Sequence, residues 1–201
     1  MIDRRLDIKW ICSSFALFAL DDEMLDLMRA SGCVGVNCAI ESGNERVLRE
    51  IIRKPIKDLG AVPAKISEIK ARGIFVIANF IIGSPGESWE EIRETIRFAE
   101  NCGADYIKLF VAVMLPGTAI YDMAIDQSAL AIPEDRLEVQ WRYSQLNSSD
   151  WSAKDVSILR AYEWDRINFA PERIDRVAAI WGMPAEDLKH IRKQTRDNLH
   201  F

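Results

Sequence analysis

The stretch Gly73-Ile74-Phe75-Val76-Ile77-Ala78-Asn79-Phe80-Ile81-Ile82-Gly83-Ser84-Pro85-Gly86-Glu87-Ser88-Trp89-Glu90-Glu91 decides the fold. Its apolar run over 74–82 gives way to a Gly/Pro turn, and Ser88 with Glu91 three residues on is the capping box that opens a helix. A strand whose apolar residues hardly alternate with polar ones is covered on both faces, as strands of a parallel sheet are. Strand, short turn and helix together make one βα unit.

The same theme repeats on either side. Strands are predicted over 6–14, 34–40, 74–82 and 106–115, with helices over 21–30, 44–53, 62–72 and 88–101. Gly32, Gly73 and Gly103 stand where a helix stops and a strand begins, the place for a left-handed cap. Four parallel strands with right-handed crossovers make an α/β arc, a small open sheet or part of a barrel. The first strand has nothing before it to cover its edge, which suggests that something upstream is missing. Three regions are expected: barrel strands and helices over 1–125, an irregular connection over 126–150, and a helical extension over 151–201, with Ser152 and Pro171 opening helices.

Composition narrows the function. The 201 residues are 49% hydrophobic and 28% charged, as in ordinary soluble domains, so disorder and low complexity are excluded. A net charge of -5 provides no basic stripe for nucleic acid. No apolar run approaches the ~20 residues of a membrane span and the N-terminus is not signal-like, so no membrane role and a cytoplasmic location are expected. Both histidines, His190 and His200, lie near the end, leaving almost nothing for a histidine zinc site or a catalytic triad. Cys12, Cys33, Cys38 and Cys102 are irregularly spaced and read as reduced, buried thiols; strand alternation predicts that Cys33 and Cys38 face opposite sides.

In parallel α/β folds ligands bind outside the carboxyl ends of the strands. Those ends carry Cys12-Ser13-Ser14, Glu41-Ser42-Gly43-Asn44, Gly83-Ser84-Pro85-Gly86-Glu87 and Leu115-Pro116-Gly117-Thr118. Glu41 and Ser42 suit a diol or an ammonium, or Ser42 simply caps the next helix. The 83–87 turn could cradle an anion or a purine edge, or be only a turn. Pro116-Gly117-Thr118 reads first as a turn. Asn37, Asn79 and Lys108 are polar groups inside strands and either reach the surface or line a wet cavity. Lys108 reads equally as a proton donor or counter-ion and as a snorkelling surface lysine. The tryptophans at 141, 151, 164 and 181 read as packing for the C-terminal helices.

Taken in order, these residues resemble a radical SAM enzyme. The segments Leu25-Asp26-Leu27-Met28-Arg29-Ala30-Ser31-Gly32-Cys33 and Ile40-Glu41-Ser42-Gly43-Asn44-Glu45-Arg46-Val47-Leu48 carry the likeness, followed by Arg53-Lys54-Pro55, the 73–87 segment and Pro116-Gly117-Thr118. The likeness is to the subgroup with an N-terminal cobalamin-binding domain, and the tail around Trp164-Asp165-Arg166-Ile167-Asn168-Phe169 and Ile191-Arg192-Lys193-Gln194-Thr195-Arg196 is similar to the ending of such proteins. The resemblance implies the C-terminal part of a radical SAM (β/α) barrel, roughly its strands three to six, followed by the helical tail. It implies S-adenosylmethionine, a 4Fe-4S cluster and, in this subgroup, cobalamin, serving a transferase or rearrangement reaction on a small-molecule substrate.

It further implies that Glu41, Ser42 and Gly43 meet the ribose and amino group of S-adenosylmethionine. Arg53, or Lys54, would hold its carboxylate; Ile81, Ile82 and Gly83 would pack on the adenine, with 113–115, including Leu115, closing over it. The family pattern GxIxGxxE would place glycine at Asn79 and glutamate at Gly86, with Glu87 one place late. No CxxxCxxC occurs, so the cluster ligands and the cobalamin domain would lie upstream. Two other readings remain open: a stand-alone α/β nucleotide- or partner-binding module without catalysis, and a cofactor-independent barrel lyase or isomerase with Glu41 and Lys108 as acid and base.

Overall fold

The structure is a computed structural model that describes residues 1–4, 6–54 and 56–197. Pro55 and His200 lie outside the described residues. Four parallel strands form one sheet in sequence order: β1 (Trp10–Phe15), β2 (Cys33–Glu41), β3 (Phe75–Ile82) and β4 (Tyr106–Val111). Between them run α1 (Asp22–Ala30), α2 (Val62–Ala71) and α3 (Trp89–Asn101). Sequential neighbours all paired in parallel make the arc of a (β/α) barrel. Beyond the sheet follow α4 (Ala119–Asp126), α5 (Ala153–Asn168), α6 (Ile174–Trp181) and α7 (Ala185–Asp197). No helix among the described residues is long and apolar enough to cross a membrane.

The helix ends follow their sequence signals. Asp21 caps α1 through the Met24 amide, and both Ser88 and Ser152 form capping boxes, with Glu91 and Asp155 respectively. Gly32, Gly73 and Gly103 take φ of 96°, 71° and 83°, the left-handed caps that return each helix to a strand. The segment 44–53 is only partly regular: Val47–Ile51 is a π-helical turn, a widening that often marks functional sites.

Two strands are shorter than expected. β1 begins at Trp10, whose amide bonds to Gly32 O, because β2 provides no partner before Cys33. β4 ends at Val111 rather than at residue 115: the Ala112 amide bonds to Ile82 O, and β3 then turns away at Gly83 with φ 75°. α6 likewise begins at Ile174, not at Pro171.

The sheet has two unlike faces. Val76, Ala78, Phe80 and Ile82 of β3 are buried in the main core together with Val36, Cys38 and Ile40 of β2 and Ile107, Leu109 and Val111 of β4. The alternate residues Asn37, Ala39, Glu41, Ile77, Asn79, Ile81, Lys108 and Phe110 are half-buried on the opposite, open face. Coverage on both faces, expected from the apolar run, is therefore incomplete. Cys33 and Cys38 do not face opposite sides either. A register shift between Trp10 and Ile11 interrupts the alternation, and both thiols end in the same core. Burial pushes the Cys38 thiol up to about 12.

Among the described residues the outer edge of β4 has no fifth strand beside it, and side chains and one loop satisfy its backbone. The Asn168 carboxamide accepts from the Ile107 amide at 2.8 Å and donates to Ile107 O at 2.9 Å. Arg160 reaches Leu109 O at 3.4 Å, and the Val111 amide bonds to Trp141 O at 3.1 Å. At the amino end of the sheet, buried Asp105 accepts from the Val76 amide and pairs with Lys70 of α2 and Arg176 of α6. Asn168→Ala leaves an amide and a carbonyl at Ile107 unsatisfied and should cost roughly 2–4 kcal/mol. Thermal melts and amide exchange at Ile107 check this; an unprotected Ile107 amide is expected in the variant, and unchanged protection would refute the edge seal.

Candidate functional site

At its carboxyl end β2 is deformed. Glu41 instead of Ile40 aligns with Phe80, so Ile40 is an extra residue, and the Ser42 amide bonds back to Ile40 O at 3.0 Å. Glu41 takes φ 73° and Arg53 φ 57°, left-handed conformations that L side chains adopt at a cost of about 1–3 kcal/mol. Strain of this kind persists where surrounding structure enforces it, and it clusters at ligand sites. The Glu41 carboxylate receives the Lys54 ammonium at 2.9 Å. Arg53 is exposed and makes no ion pair among the described residues.

Below Glu41 lies a cavity of about 370 Å³ lined by Ala39, Glu41, Asn79, Ile81, Phe110 and Trp141. Asn79 Oδ1 and, on the same face, Asn37 Oδ1 are buried without a hydrogen-bond partner among the described residues. Orphaned acceptors beside an apolar wall, with an ion pair at the rim, suit a ligand with a polar ring edge and a charged end.

The remaining predicted site residues sit elsewhere. Ser42 is fully buried, its hydroxyl shared with Thr95 of α3 and the Asn44 amide. A Cβ on Gly43 would come within 2.4 Å of Phe98, so the glycine lets α3 approach β2. Ile82 faces the helices, opposite to Ile81. Gly83 adjoins α5, where a Cβ would meet Val156 at 2.8 Å, and Leu115 is exposed past the end of β4. Lys108 stands beside Asn79 in the register but lines a second cavity, while Lys54 occupies Glu41.

The 83–87 segment is a turn and not a cradle. Pro85 and Gly86 (φ 75°) occupy its centre, closed by the Glu87 amide on Ser84 O, and the Glu87 carboxylate takes the Ser84 amide. Arg46 clamps it from outside through Gly86 O and a two-pronged bond to Glu91, which holds the Glu91 carboxyl down to about 2. Trp151 donates to Glu87 O. Pro116-Gly117-Thr118 is a turn whose threonine caps α4.

Trp141, expected to pack the C-terminal helices, is held beside β4 by its backbone bond to Val111. It stands edge-on to Phe110 with centroids 6.0 Å apart, forming a wall shared by the two cavities, the larger of which Arg160 and Trp164 of α5 also line. Arg142 and Arg160 carry no sequence signal for this site, because no local pattern links them to β4. Among the described residues no group of three His, Cys, Asp or Glu side chains could hold a metal ion, and Cys33, Cys38 and Cys102 are buried thiols.

Residues 2–99 match the family described as the radical SAM superfamily. It is 33% identical over 153 residues to cytidylyl-2-hydroxyethylphosphonate methyltransferase of Streptomyces wedmorensis, covering 73% of this chain and 28% of that protein. It is 34% identical over 137 residues to uncharacterized methyltransferase PH0819 of Pyrococcus horikoshii, covering 68% and 28%. The chain thus spans less than a third of the length of these relatives. The fold matches coproporphyrinogen III oxidase (HemN) of Escherichia coli at 17% identity, with a TM-score of 0.53 over 76% of this chain and 31% of that one. It also matches the methyltransferase TsrM of Kitasatospora setae, solved with cobalamin and a [4Fe-4S] cluster, at 19% identity and TM-score 0.50 over 62% and 23%.

Glu87 offers a pH test of the turn. Burial pushes its carboxyl up to about 8, outweighing the amides of Ser84 and Gly83 that favour the anion. A raised folded value means that stability is full below the ordinary carboxyl range and is lost as pH rises through about 8. Glu87→Gln keeps the shape and stays neutral, so its melting temperature should match the parent at pH 5 and exceed it at pH 9. Parallel pH curves for the two proteins would show that Glu87 is not held neutral.

Proposed function

We propose that this chain forms the S-adenosylmethionine-positioning part of a radical SAM methyltransferase of the cobalamin-using kind. The observation that carries the reading is the strained Glu41 at the end of β2, its carboxylate paired with Lys54 over the cavity floored by Asn79 and Ile81. The names of the two methyltransferase relatives and the cobalamin-bound TsrM support it.

The chain's residues fit one end of this chemistry and not the other. The methionyl end of S-adenosylmethionine is a zwitterion, and Glu41 with Lys54 is its complement. On binding, that ion pair opens, Glu41 accepts from the ligand's ammonium, and Lys54 or the unpaired Arg53 takes the carboxylate. Ala39 and Ile81 present apolar surface to the adenosyl portion, and Asn79 Oδ1 accepts from a polar ring edge. Phe110 and Trp141 exclude water from one side. Bound there, S-adenosylmethionine supplies the methyl or radical chemistry of the family. The cluster does not fit the described residues, so its ligands would come from outside these 201 residues.

Glu41→Gln should weaken S-adenosylmethionine binding by about tenfold in calorimetry, because a charge-assisted bond becomes a neutral one. Glu41→Gly removes the same charge but relieves the left-handed strain, so affinity should fall while the melting temperature is held or rises. Affinity unchanged in both variants would sink the assignment.

A further inference from the structure

The larger cavity, about 630 Å³, lies between β4 and the 138–143 loop and shares Phe110 and Trp141 with the cavity below Glu41. Three cations line it: Lys108 from the open face of β4, Arg142 from the loop and Arg160 from α5. Against them stands a single carboxylate, that of the exposed Glu138. None of the three cations has an acidic partner among the described residues. Arg160 is the telling one. It is 7% exposed, its Nε is buried without a hydrogen-bond partner among the described residues, and its bond to Leu109 O is a long one at 3.4 Å.

A guanidinium so desolvated and beside a like charge is costly unless an anion joins it. Burial and, less strongly, the charge of Arg142 lower the Arg160 guanidinium to about 10. The fixed side chains carry an excess of two positive charges, the charge of one dianionic group. The rest of the lining is Gln140 and Tyr143 with the apolar Leu109, Phe110, Val139, Trp141 and Trp164, a wall far larger than a free anion needs.

We infer that this cavity is the substrate subsite and that it takes an organic phosphate or phosphonate, its dianion held by Lys108, Arg142 and Arg160 and its organic portion laid along Phe110, Trp141 and Trp164. The inference rests on reading the adjoining cavity as the S-adenosylmethionine site, since the shared Phe110–Trp141 wall then puts substrate next to cofactor. The guanidinium forks bind phosphoryl oxygens two at a time, while the ammonium adds a point charge.

Phenylphosphonate, inorganic phosphate and neutral benzamide titrated into the full chain, followed by calorimetry and tryptophan fluorescence, test this. Phenylphosphonate should bind at least about tenfold more tightly than either of the others, since only it satisfies both cations and wall. Lys108→Gln and Arg142→Gln, which break no backbone contact, should each weaken it about tenfold. Arg160 also touches β4, so Arg160→Lys, which keeps the charge and loses the fork, is the variant to use there. Inorganic phosphate binding as tightly as phenylphosphonate would overturn the organic class. Benzamide binding equally well, or variants with unchanged affinity, would overturn the anion site. S-adenosylmethionine titrated separately keeps the two readings apart: its binding without phenylphosphonate binding removes this inference alone, and the reverse removes the cofactor assignment.

Discussion

A parallel strand at the edge of a sheet carries a row of amides and carbonyls that water or protein must satisfy, and at β4 that requirement organises the second half of the chain. Asn168 meets both groups of Ile107, Arg160 reaches Leu109 O, and the backbone of Trp141 receives the Val111 amide. Each bond is modest by itself, about 0.5–1.5 kcal/mol net for a neutral pair, yet leaving the group unmet inside the protein costs more. The constraint therefore draws α5 and the 138–143 loop onto β4. Both cavities exist because of that draw: Trp141 forms their common wall and Arg160 enters the larger one.

The carboxyl end of β2 is the other organising point, and it works through strain. The extra residue at Ile40 and the left-handed Glu41 re-aim one carboxylate over the open face of the sheet. Around it everything is tightly bonded on the helix side: Ser42 with Thr95, Asn44 with Glu94, Arg46 with Glu91 and Gly86 O. These bonds keep the distorted strand end in place while the opposite face stays open. Rigid support under an unsatisfied surface is the pattern expected of a binding site.

Much of the fold was legible from residue order. The apolar run ending in Gly83, the capping boxes at Ser88 and Ser152, and the glycines at 32, 73 and 103 act through contacts a few residues away, so local sequence announces them. The candidate site was legible in part: Glu41 and Ile81 at strand ends, and Asn79 and Lys108 within strands, all reach the open face. Ser42, Gly43, Ile82 and Gly83 lie next to these in sequence yet serve the helix side. Alternation within a strand, and a bulge that changes its phase, separates neighbours by the thickness of the sheet.

Strand lengths show the same division. Apolar character continues from Val111 to Leu115 and before Trp10, but a strand lasts only as long as its neighbour does, and β3 departs at Gly83 while β2 begins at Cys33. Sequence by itself therefore determined the βα alternation, the helix caps and the family likeness, because each rests on short-range chemistry and spacing. Only the tertiary structure decided which side of each strand meets helix and which meets cavity, and that Trp141, Arg142 and Arg160 join Lys108. Those residues are brought together by the unpaired edge of β4, a long-range requirement that no local stretch of the chain records.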